Sequence, residues 1–217
     1  MVRKHGTYQT GTLHADRTLA GLVRDPSVHF PYSTGYGPEI TNHSLADERW
    51  EAIDINAGIV AISDEWATEH NLPPTQRFPW DSSKGVYTLS AFHTLHCLKN
   101  IHRLLYDAHH GRPLSRDIGH AMHCVDHIRK DAMCNADDFL LSTPPDHDNM
   151  AGPRGQSRVC RDWDALLAWA DKHNACYQHL TDDEADFAAN HDEIERYMDC
   201  PSGSPFVERM REYSAAK

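Results

Sequence analysis

The chain has 217 residues, a length that favours one domain with a core large enough to need neither metal nor disulfide. A formal net charge of -11 repels phosphate backbones and argues against nucleic acid as a partner. Seventeen His are the compositional anomaly, and six Cys permit up to three disulfides.

In chain order, residues 1–29 read as an irregular arm with a polar start. No run approaches the roughly 20 apolar residues of a membrane span, and no signal-peptide core opens the chain. A turn-rich aromatic stretch from His29 to Pro38 stays extended. A helix is predicted to start near Asn42 or Ser44 and to carry Leu45, Trp50 and Ile53. Gly58 to Ile62 reads as a short buried strand. Ser63 is placed to cap a short helix, Asp64 to Asn71. Residues 72–85 read as a long loop of the kind that often covers a site. Phe78 and Trp80 in it, with Tyr36 upstream, either line a pocket or cap the core.

After a brief β-like entry at Val86, a strong helix runs to Ala108 and breaks at Gly111, Arg112 and Pro113. A second helix starts at Ser115 or Asp117 and ends near Ala136. Residues 142–157 form another polar loop, and Arg161 to Asn174 a third helix with Trp163, Leu166, Leu167 and Trp169 on its apolar side. Thr181 to Met198 reads as one acidic helix, with Thr181 and Glu184 as a capping box. Ser204 to Tyr213 is a short terminal helix. The expected fold is mainly α with minor short β: a compact helical domain over 30–175 with long loops, and a helical extension over 176–217 packed on it.

One pattern carries chemistry. His93-Thr94-Leu95-His96-Cys97 and His120-Ala121-Met122-His123-Cys124 repeat His-x-x-His-Cys on neighbouring helices. At about 100° per residue, the two His and the Cys of each copy share an arc of about 100°. His127 lies about 20° from His120 and joins that face, whereas His102 points away from His93. Two helices joined by a short connection pack antiparallel, so the four imidazoles of His93, His96, His120 and His123 are expected to converge on a metal site between them. Imidazole suits Zn, Cu, Fe and Ni. His127 and Asp126 are candidates for catalytic support, orienting a ligand or moving a proton.

The cysteines admit more than one scheme. Cys124 and Cys134 stand about 15 Å apart on one helix, beyond disulfide reach. Meeting His faces would bring Cys97 to Cys124, leaving Cys134–Cys160 and Cys176–Cys200; Cys97–Cys134 with Cys124–Cys160 is the open alternative. Disulfides would imply an oxidising compartment.

The paired motif resembles the signature of the UstYa-like oxidases of fungal secondary metabolism. Phe92 to Leu98 is similar to that family's first motif, His120 to Arg129 running on through Met133 to Asp137 to its second, and Cys160 to Asp164 to its third marker. Arg158 stands where the family often has His. The resemblance implies copper as cofactor, molecular oxygen or peroxide as co-substrate, and a peptide or other small secondary metabolite as substrate. The outcome would be cyclisation, hydroxylation, desaturation or halogenation through radical C–H oxidation. It also implies a native protein anchored to a membrane and facing a secretory lumen. The competing expectation is a non-catalytic zinc-binding structural or partner module, which would unfold on chelation.

Overall fold

The computed structural model describes residues 19–29, 35–36, 43–114, 117–135, 157–180 and 184–217. The described residues are mostly helical, with two small antiparallel sheets. No helix among them is long and apolar enough to cross a membrane.

Helix α1 spans His43–Glu51. A 3-10 turn, Asn56–Gly58, leads into strand β2, Ile59–Ser63, whose three central residues are buried. The Ser63 side chain then accepts from the Trp66 amide and caps α2, Asp64–Glu69, so this cap was legible in the sequence.

Half of the expected 72–85 loop is sheet, and residues 72–76 stay irregular. Strands β3, Arg77–Phe78, and β4, Asp81–Thr88, form a tight hairpin, and β4 pairs antiparallel with β2 from Ile59↔Thr88 to Ser63↔Lys84. Asp81-Ser82-Ser83-Lys84-Gly85 has turn-like composition, but cross-strand pairing overrides so weak a local preference. Phe78 and Trp80 are core residues, packed with Val86, Cys176 and Tyr197. The Trp80 indole donates to the Tyr197 carbonyl and Arg209 to the Trp80 carbonyl, which fastens the C-terminal segment to the sheet. Tyr36 packs edge-on against Trp50.

The arm is corrected too. Arg24–His29 is a strand, β1, paired antiparallel with β5, Ser157–Arg161. Pro26 falls where the register shifts between Arg24 and Ser27, in a two-stranded ribbon that tolerates a proline.

The long helices match expectation: α3 is Ser90–His109, α4 is Ile118–Asn135 and α5 is Trp163–Lys172, capped by Asp162. The expected helix over 181–198 is two pieces, α6, Glu184–Asn190, and a 3-10 turn, Glu193–Tyr197. The capping box forms at Asp192 and Glu195, which starts a new turn there; Thr181 lies outside the described residues. Helix α7, Val207–Ala216, ends the chain, and Cys176–Cys200 bridges the loop after α5 to the segment before α7.

Two contacts place α3. Gly58 lies under Phe92, where an added Cβ would come within 2.2 Å of the Phe92 Cβ. At its middle, Lys99 and Arg103 pair with Glu51, and Lys99 also donates 2.7 Å to the Glu51 carbonyl at the end of α1. Burial works against the Glu51 charge, but the Arg103 hydrogen bond and the Lys99 and Arg103 charges outweigh it, so this carboxyl sits below its ordinary 4.5.

Gly58→Ala is therefore expected to lower stability by about 1–3 kcal/mol in denaturant unfolding, because the Phe92 stem is too close to the backbone to swing aside. A depressed folded-state value stabilises above the unfolded value and loses that effect as pH falls through the folded one. Glu51→Gln should thus cost about 0.2–1 kcal/mol at neutral pH, with the difference from the parent vanishing below the carboxylate range.

Candidate metal centre

Helices α3 and α4 run antiparallel: His93 faces His123 with ring centres 5.8 Å apart, and His96 faces His120 at 5.6 Å. Within each helix the pairs match as well, at 6.1 Å for His93–His96 and 6.4 Å for His120–His123. The residue shift that carries His93 to His120 also carries His96 to His123, Cys97 to Cys124 and Asn100 to His127. The two halves are thus related by an approximate two-fold axis. Cys97 and Cys124, both 0% exposed, touch across it. Asp117 accepts from the His120 amide and fixes where α4 begins.

All four sequence-predicted imidazoles therefore line one seam. His93, His96 and His120 are half-buried and His123 is exposed. His127 joins them, 4.0 Å from His93 between ring centres and 3.3 Å from Thr94 Oγ1 through Nε2. Burial, then the neighbouring His127, His123 and His120, lower the His93 pKa from its ordinary value, and the Cys97 sulfur stands 3.9 Å from its Nε2. His102 turns away as its helical angle requires; it stacks on Trp50 at 4.9 Å. Asp126 is not brought to the cluster: hydrogen bonds from Lys130 and Arg129 draw its carboxyl down to about 2 at the surface.

Two residues escaped sequence reasoning. Asn100, one turn after His96, is 4% exposed, and its Nδ2 lies 2.9 Å from His96 Nε2 and 3.4 Å from His120 Nε2. The internal repeat reached it, since it matches His127, but Asn is not an obvious ligand type. His179 stands 6.2 Å from His96 between ring centres, brought from the loop that Cys176–Cys200 closes; no local pattern announces it.

A cavity of about 340 Å³ opens on the cluster, lined by His93, His96, His120 and His179 with Ile55, Asn56, Ile59, Thr88, Phe92 and Tyr177. It holds no Asp, Glu, Lys or Arg among its lining residues. A second cavity, of about 530 Å³, shares Ile55, Asn56, His96 and His179 with it and carries Glu51, Lys99 and Arg103 on its walls.

Among the described residues no three His, Cys, Asp or Glu side chains stand close enough together to hold an ion as they are placed. The chemistry of the donors nonetheless fits a transition metal: imidazoles grouped at a seam, the charged form of one disfavoured by burial, with no carboxylate in the inner cavity.

The expected Cys97–Cys124 bridge is not formed. Both are free thiols, and burial together with the contact to Cys124 pushes the Cys97 thiol well up, so it stays protonated. Cys134, exposed on α4, and Cys160, in β5, are also free. Of the expected bridges the structure forms Cys176–Cys200.

A family model described as mycotoxin biosynthesis protein UstYa matches residues 28–173, which include both motifs and leave His179 outside. The chlorinase cctP2 of Talaromyces islandicus is 40% identical over 182 residues, 83% of this chain and 58% of that protein. The hydroxylase cctR of the same organism is 33% identical over 151 residues, 68% of this chain and 56% of that protein. The oxidase ustYa of Aspergillus flavus is 30% identical over 133 residues, 60% of this chain and 61% of that protein. The chain spans a little over half the length of these curated relatives. No solved structure matches it.

Alkylation followed by mass spectrometry checks the cysteines. Cys134 is expected to react first in the native protein and Cys97 and Cys124 only after unfolding, with Cys176 and Cys200 needing a reductant as well. Loss of the Cys97 and Cys124 labels in the unfolded, unreduced protein would instead mean that these two are joined.

Proposed function

The chain belongs to the UstYa family of mycotoxin biosynthesis proteins, and from that premise we propose that it is a copper-dependent oxidoreductase acting on a peptide or other small secondary metabolite. The observation that carries the reading is the grouping of His93, His96, His120 and His123 across one helix seam, the first three of them lining a cavity. The names of its relatives, a chlorinase, a hydroxylase and oxidases, support oxidative chemistry at that place.

In this reading His93, His96, His120 and His123 hold the copper. Bound copper supplies one-electron chemistry with molecular oxygen or peroxide, and thereby radical C–H oxidation that ends in cyclisation, hydroxylation, desaturation or halogenation. The chain does the rest. Ile55, Ile59 and Phe92 give the inner cavity apolar walls that take an apolar part of the substrate and exclude water. The outer cavity has room for the remainder, beside Glu51, Lys99 and Arg103. His127, in contact with Thr94, stands against His93, where it orients that ring and can take or return a proton. The Cys176–Cys200 bridge suits the secretory lumen that this reading assigns, with the native protein anchored at its membrane.

Copper loading tests the reading. The chain is expected to bind Cu(II) and, with ascorbate as reductant, to consume oxygen. Chelation should abolish this while leaving a cooperative thermal unfolding transition. His96→Ala and His120→Ala should each slow oxygen consumption at least about 10-fold, the loss that even an outer partner of a ligand costs. A protein that takes up zinc but no copper and unfolds when stripped would overturn the reading in favour of a structural zinc module.

A further inference from the structure

We propose that Asn100 is a positioning residue of this centre: its amide fixes His96 and His120 in the tautomer with a bare Nε2 and holds the place between those two nitrogens that an incoming cation takes. The inference rests on the reading of the cluster as a metal centre.

The argument is one of donors and acceptors. A carboxamide nitrogen carries two N–H groups. Asn100 Nδ2 lies within hydrogen-bond distance of two ring nitrogens, His96 Nε2 at 2.9 Å and His120 Nε2 at 3.4 Å, one on each helix. An imidazole nitrogen that accepts a hydrogen bond bears no proton, so each neutral ring carries its proton on Nδ1. Free histidine in water prefers the proton on Nε2, so the surroundings must impose the other form. At 4% exposure Asn100 meets little competition from water for these contacts.

The two-fold relation of the helices isolates this role. The position on α4 equivalent to Asn100 is His127, and a neutral imidazole has one N–H to offer. His127 packs against His93 and meets Thr94, and it cannot serve two rings as the amide does. The centre is therefore built from nearly equivalent halves, of which the His96/His120 half has its Nε2 lone pairs turned to one point, the amide nitrogen. A cation entering there needs the same lone pairs, so the amide gives way as the ion binds.

Nitrogen-15 NMR of the histidine side chains in the metal-free protein, near neutral pH, reads the tautomers directly. His96 and His120 should show an unprotonated Nε2 and a protonated Nδ1. Asn100→Asp, which offers only acceptors, should invert both tautomers. Asn100→Leu, which offers neither, should return both to the mixture of free histidine. Adding Zn(II), used as a diamagnetic probe, to the parent protein should release the Asn100 side-chain amide protons from slow exchange. Protonated Nε2 in the parent overturns the proposal whether or not either variant folds. So do tautomers that Asn100→Asp leaves unchanged, or amide protection that survives zinc binding. Failure to bind zinc or copper sinks the metal-centre reading instead, and the tautomers of the metal-free protein still decide what Asn100 does.

Discussion

Cys97 and Cys124 meet at the seam between α3 and α4, fully buried, and this contact sets the register of the two helices. A small side chain at that point of each helix lets the backbones come close. With the register set, the rest follows from helical spacing. The His one and four residues before each Cys fall on the same face, so each half of the seam carries one His from each helix. A slip of one helix by a single turn would separate His93 from His123 and His96 from His120 together. The cysteines thus shape the site through packing, as buried thiols.

The rest of the chain holds that pair of helices against a cavity. Gly58 and Trp163 both contact Phe92, which seats the start of α3 on the 3-10 turn and on α5. Glu51, with Lys99 and Arg103, ties the middle of α3 to α1. The β2–β4 ladder delivers Ile59 and Thr88 to the inner cavity wall, and the Cys176–Cys200 loop delivers Tyr177 and His179. The C-terminal residues also complete the core: Tyr197 packs on Phe78 and Phe206 on the same ring. The site is walled by segments from Ile55 to His179, so the fold as a whole, rather than the motif alone, gives the imidazoles a substrate-sized space.

What could be read from the sequence was what short-range physics decides. The extents of α3 and α4 and the cap at Ser63 depend on neighbours a few residues away, and they were legible. The β1–β5 ribbon joins segments far apart in the chain, so no local pattern announced it. The hairpin of β3 and β4 is polar because one face meets solvent, which made it look like a loop. The break near His191 turned on the capping box at Asp192 and Glu195, inside what read as one acidic helix. At the site, the face shared by His93, His96, His120, His123 and His127 came from spacing alone. Asn100 and His179 needed coordinates, the one because its partners sit on two helices, the other because a disulfide-closed loop carries it in.

The central claim is that the imidazoles at this seam are copper ligands, and pulsed electron spin resonance of the Cu(II)-loaded chain tests it most directly. The account predicts nitrogen couplings typical of coordinated imidazole, reduced in number when His93, His96, His120 or His123 is replaced by Ala. Couplings that survive all four replacements, or a Cu(II) signal with no imidazole coupling, would contradict it.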